Sequence, residues 1–152
     1  MDTSEVIAAL ALGSIPVSVV IARWQMRAPL RVERARWLAD ARHTSYGLFQ
    51  KALAQFRRSL LASEVVLEEL NDAMHDLHNA AHVVSQVGPN EVGRLAEGIM
   101  RRYEDTTREV GNEISRGLLP TPEARAEAWA AQAPLRVKLD KAIQRVYDRH
   151  WG

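Results

Sequence analysis

The chain has no cysteine. That excludes a disulfide framework, thiolate catalysis and cysteine zinc sites. It has no glycine-rich phosphate loop, and its serines and histidines show no nucleophile-elbow spacing. Aromatic residues are only 6% of the sequence and fall largely on apolar stripes, so no base-stacking platform for nucleic acid is expected. The net charge of +1 supplies no field that would draw the whole protein onto DNA or RNA. Strand alternation and internal repeats are absent as well. Lysine is scarce, at 3 residues against 17 arginines. Beside the abundant alanine, this points to a GC-rich, actinobacterium-like source before it points to a function. No catalytic residue, cofactor site or small-molecule substrate emerges from these patterns.

What is present is helical periodicity along 152 residues, enough for one domain and an appendage. Val6 to Ala22 is a run of 17 residues without charge. As a helix it spans ~25 Å, close to a hydrocarbon core of ~30 Å. Asp2 and Glu5 precede it; Arg23, Arg27, Arg31, Arg34, Arg36 and Arg42 follow, against Glu33 and Asp40. The positive-inside rule then predicts a single-pass plasma-membrane anchor over residues 1–28, N-terminus outside and the remainder cytoplasmic. Arg23, Trp24, Arg27 and Arg31 are the expected interface residues, with Trp151 joining them from the other end of the chain. A cleaved signal peptide begins with positive charge and ends in small residues, unlike Arg-Trp-Gln-Met-Arg here. The competing reading is a soluble homo-oligomer in which residues 6–22, short and interrupted by Pro16, form an inter-subunit helix.

Residues 29–152 read as an antiparallel, four-helix-bundle-like domain, so the fold class is all-α with an N-terminal transmembrane helix. Pro29 predicts a kink or short break after the anchor. The first helix, about 30–61, carries Leu38, Arg42, Ser45, Phe49, Ala52, Phe56 and Leu60 on one stripe, with Trp37, Tyr46 and Leu53 at its margins. Arg42 interrupts the stripe; its stem is expected to pack while its head finds a carboxylate. Ser63 is the expected cap of a second helix, 64–87, whose face is Val66, Leu70, Ala73, Leu77, Ala80, Ala81, Val84 and Val87. Gly88 is expected to close it in the left-handed conformation, and Asn90 to cap the third helix, 91–116. Gly117 ends that helix. Thr121 and Pro122 open the fourth, 122–149, with a kink expected at Pro134.

One cluster invites metal chemistry: Asp72, His75, His78 and His82 within eleven residues. A carboxylate-x-x-His step also occurs in the ligand helices of carboxylate-bridged di-iron bundles. Helical geometry argues against an interior site. With Val66 at zero and about 100° per residue, the histidines fall roughly 120–180° from the apolar face. They read as a solvated polar face, with surface or intermolecular metal binding as the alternative. The five acids from Glu64 to Asp76, with no lysine or arginine among them, read the same way.

An N-terminal apolar helix, an Arg36-Trp37-Leu38-Ala39-Asp40-Ala41-Arg42 segment, the aromatic pair Tyr46 and Phe49, and the turn Val84-Ser-Gln-Val87-Gly88-Pro89-Asn90 follow in that order. This order resembles small actinobacterial membrane-anchored helical proteins of unassigned activity. The resemblance implies an anchor and a non-enzymatic role, and it transfers no catalytic residue. The resulting expectation is an interaction or scaffold module whose partners are membrane lipid and a protein or second copy, not nucleic acid.

Overall fold

The computed structural model describes the backbone of residues 3–151 and the side chains of residues 31–148. The described chain is helical, without a strand: α1 (Thr3–Leu60), α2 (Leu67–Val87), α3 (Asn90–Ser115), α4 (Pro122–Ala131) and α5 (Ala133–Trp151). Two compact units divide it, Met1–Asp40 and Ala41–Gly152. In the first, the described side chains include an exposed Val32 and a Trp37 that is 66% exposed. Among the described residues no helix is long and apolar enough to cross a membrane. The side chains of the uncharged stretch 6–22, and those of Arg23, Trp24, Arg27 and Trp151, lie outside the described residues; Arg31 is described and exposed.

The second unit is a bundle of the last third of α1, from Ala41 onward, with α2, α3, α4 and α5. Polar contacts fix its up-and-down order. Arg42 Nε donates to the Val87 carbonyl at 2.8 Å, and Gln50 Nε2 to Asp140 at 3.0 Å. Ser85 Oγ donates to Glu97 at 2.6 Å, and Arg145 pairs with Glu91 at 3.0 Å. Arg42 with Val87, Ser85 with Glu97 and Glu91 with Arg145 each join the start of one helical stretch of the unit to the end of its neighbour, and Gln50–Asp140 together with His43–Tyr147 orders α1 against α5 the same way, so adjacent helices run antiparallel. One end of the unit therefore gathers Arg42, Val87, Glu91 and Arg145.

The apolar stripes meet in one core. Phe49, Phe56 and Leu60 from α1 pack with Leu70, Leu77 and Val84 from α2, Val92, Ile99 and Tyr103 from α3, and Leu139 from α5. Burial of these side chains supplies roughly 1.5–3 kcal/mol each and is the main driving force for assembly. Tyr46 and Leu53, expected at the stripe margin, are fully in this core, whereas Trp37 is outside it. Met74, Met100 and Thr107 widen the predicted faces, because a helix flanked on two sides buries more than a narrow seam.

Several boundaries differ from the sequence reading. Pro29 does not end a helix: α1 continues through it. Proline's φ is compatible with helix, and the loss of one hydrogen bond is offset by the turns on either side. Ser63 caps nothing; α2 begins four residues later with Val66 extended at its cap position. Val65 and Val66 are β-branched and favour extended backbone, which defeats the Ser63 signal. Pro89, not Asn90, occupies the cap position of α3, so no side chain accepts from that helix's first-turn amides. The anticipated single helix 122–149 is two, parted at Gln132, with Pro134 in the first turn of α5 where its missing N–H removes no intrahelical bond.

Gly88 is extended (φ −81°) rather than left-handed. Its need for glycine is spatial: an added Cβ would lie 2.7 Å from the Val84 carbonyl oxygen and 3.3 Å from the Tyr46 hydroxyl. The left-handed glycine is Gly117 (φ 75°). There Leu118 N donates to Glu113 O and Gly117 N to Ile114 O, both at 2.9 Å, closing α3 in a Schellman motif. Thr121 caps α4 as its sequence position implies, accepting from Ala124 N at 3.2 Å. Arg42 packs its stem as expected, but its head meets the Val87 carbonyl rather than a carboxylate. The carbonyls at a helix C-terminus are unpaired and carry partial negative charge, so a cation satisfies them equally well.

Candidate functional site

Four surface or buried clusters carry polar chemistry in the second unit. The first is structural. Arg125, on α4, is 4% exposed. Its Nη1 donates to Leu60 O and to Ala62 O, both at 2.7 Å. These are terminal carbonyls of α1 and of the loop that follows, so the guanidinium ties α4 across the end of the bundle. Its Nε has no hydrogen-bond partner among the described residues.

The second is an aromatic and cationic stack beside it. The Trp129 ring lies parallel to Tyr103 (centroids 5.1 Å apart, 11° between planes) and takes the Arg136 guanidinium at 4.0 Å from its centroid. Arg57 approaches the same ring at 5.8 Å. Arg136 Nη1 donates to the Tyr103 hydroxyl and, at 2.8 Å, to the Trp129 carbonyl. Phe56 meets Tyr103 with centroids 4.9 Å apart. Burial pushes the Tyr103 phenol up to about 12, against the opposing pull of the Arg136 charge and hydrogen bond.

This shift predicts an alkaline weakness. An acid whose folded pKa exceeds its unfolded value of about 10 stabilises the fold fully below pH 10, and that contribution disappears as pH rises toward 12. Denaturant melts at rising pH should show a loss on the order of 2 kcal/mol from Tyr103 across that window, removed in Tyr103→Phe, which leaves only the part due to Tyr46 and Tyr147, whose phenols burial also raises. An alkaline limb unchanged in Tyr103→Phe would assign the loss to other groups.

The third cluster contains the histidines. His75 and His78 are exposed and line a groove of about 580 Å3 between α2 and α3, facing Glu104, Arg108 and Asn112. His82 is also exposed, its Nε2 2.9 Å from Gln86 Nε2, and Asp72 is exposed. Among the described residues, no three His, Asp or Glu side chains converge closely enough to hold a metal ion. The acids Glu64, Glu68, Glu69, Asp72 and Asp76 are all exposed.

The fourth was not legible in the sequence. A cleft of about 540 Å3 between α3 and α5 is lined by Arg94, Lys138, Lys141 and Arg145, with Glu91 and Leu95. Two of the chain's three lysines stand here, one helical turn apart on α5. Arg145 is engaged by Glu91. Among the described residues neither lysine has a carboxylate partner within salt-bridge distance. A periodicity reading assigns Lys138 and Lys141 to a solvated face, and only the packing of α3 against α5 shows that they share a recess with Arg94. The lysine scarcity elsewhere was the available signal.

No family model, curated protein or solved structure matches this chain.

Proposed function

We propose that this protein is a membrane-anchored, non-catalytic helical interaction module. In this reading residues 6–22 cross the plasma membrane once, with the N-terminus outside and the bundle cytoplasmic. The bundle then meets anionic lipid and a protein partner or second copy, as the resemblance to small actinobacterial anchored proteins also implies. The observation that carries the reading is the uncharged stretch 6–22, preceded by two acids and followed by six arginines up to Arg42. The antiparallel order of the bundle lends support. The chain enters the second unit at Ala41, and the late turns of α5 return to that same end through the His43 Nδ1 and Tyr147 hydroxyl contact at 3.0 Å. Anchoring confines the bundle to a thin layer and raises its effective concentration toward a membrane partner without adding any contact.

Extraction of membranes with alkaline carbonate tests this. The full chain is expected to stay in the pellet, and a chain lacking residues 1–27 to move to the supernatant. Release of the full chain by carbonate would favour the soluble oligomer. Continued sedimentation of the truncated chain would remove residues 6–22 as the anchor.

A further inference from the structure

We infer that the α3–α5 cleft is a binding site for a phosphate-bearing anion. Four cations and one carboxylate line it, so the recess keeps a net positive charge after the Glu91–Arg145 pair is counted. Its volume, about 540 Å3, is that of a small-ligand pocket. Lys138 and Lys141 offer compact ammonium groups with no protein carboxylate to neutralise them among the described residues. Arg94 and Arg145 add planar donors suited to phosphate oxygens.

The backbone adds to this charge. The cleft starts at the first turn of α3, whose Pro89 cap position contributes no side-chain acceptor. That first turn is the positive end of the helix dipole. A second copy's acidic face or an acidic peptide would also be attracted. A recess this small and this charged favours one compact, multiply charged group over a long strip of carboxylates spread along a chain.

Two sources supply such a group: the headgroup of an anionic phospholipid and a soluble phosphate ester. The cleft lies at the end of the second unit that holds its first residues, since Arg42, Val87, Glu91 and Arg145 gather there. The lipid source rests on the membrane reading above; the anion site itself does not.

The test uses the full chain in a neutral detergent, titrated with short-chain phosphatidylglycerol, short-chain phosphatidylcholine and glycerol 3-phosphate. The expected result is binding of at least one anionic probe, weakening at high salt. Lys138→Glu/Lys141→Glu should bind that probe roughly thirtyfold more weakly. The milder Lys138→Gln/Lys141→Gln guards against misfolding and should show a smaller loss. Lys51→Glu, in which the third lysine is reversed on α1, should bind as the unaltered chain does. Phosphatidylglycerol binding without glycerol 3-phosphate binding identifies the lipid source, and binding of both identifies the phosphate group itself. Equal binding of phosphatidylcholine and phosphatidylglycerol overturns the proposal. So does wild-type affinity in both lysine pairs, or capture of an oligoglutamate peptide with neither phosphate probe bound. Carbonate extraction reads the anchor separately, so failure of one does not imitate failure of the other.

Discussion

Arg125→Met is expected to destabilise the bundle by about 3 kcal/mol, measured by denaturant unfolding followed with far-UV circular dichroism. Methionine keeps most of the stem volume, so the substitution isolates the guanidinium. What is lost is two charge-assisted hydrogen bonds, to Leu60 O and Ala62 O. Leu60 ends α1 and Ala62 lies in the loop just after it, and among the described residues no backbone donor replaces the missing partner of either carbonyl. A buried acceptor left unpaired is more damaging than the net value of the bond that satisfied it. The positive charge also complements the negative end of the α1 dipole. Arg125→Lys should recover about half of the loss, because an ammonium on a shorter stem donates as a point charge rather than as a fork. A loss below about 0.5 kcal/mol in Arg125→Met, the range of an ordinary surface substitution, would show that the contact is incidental.

Trp129→Ala should remove about 3 kcal/mol through three separate losses. Its ring packs partly buried against the core, stacks on Tyr103 and receives Arg136 over its face. Trp129→Phe keeps a ring in the slot and should lose about 1 kcal/mol. The two substitutions also have a spectroscopic consequence. Removing the indole opens Tyr103 to water and withdraws the burial that raises its phenol to about 12. The alkaline titration of Tyr103, followed by its absorbance change, should therefore move toward the ordinary value near 10 in Trp129→Ala. It should stay high in Trp129→Phe. A Trp129→Ala variant that keeps both its stability and its high Tyr103 titration would show that the stack contributes nothing to the core.

Arg125 and Trp129 lie on α4, the element whose role the sequence disclosed least. Its cap was readable, because Thr121-Pro122-Glu123 satisfies first-turn requirements by local chemistry alone. Nothing local distinguishes Arg125 from the chain's sixteen other arginines, since its partners are 65 and 63 positions away. Pro134 implies a kink, whereas the helix is parted at Gln132. Proline has no N–H to donate to the carbonyl four residues earlier, but that does not say whether the chain bends or starts afresh. Stripe positions such as Phe49, Phe56, Leu77, Val84, Val92, Ile99 and Leu139 were legible because burial follows helical period directly.

The caps divide along the same line. Gly117 acts through its own backbone, and the left-handed turn it supplies is a property of one residue. Gly88 is glycine because Tyr46, 42 residues earlier, and the Val84 carbonyl leave no room for a methyl group. Its sequence neighbourhood suggested a left-handed cap that the chain does not adopt.

By itself, then, the sequence determined the helical class, the core-facing stripes and the stops at Gly117 and Thr121. Each depends on residues a few positions apart, whose spacing the helix makes into geometry. Tertiary packing alone decided which cations do work: Arg125 on the end of α1, Arg136 over Trp129, and Lys138 with Lys141 beside Arg94. A charge acquires its role from the field and partners within a few ångströms, and those partners come from helices remote along the chain.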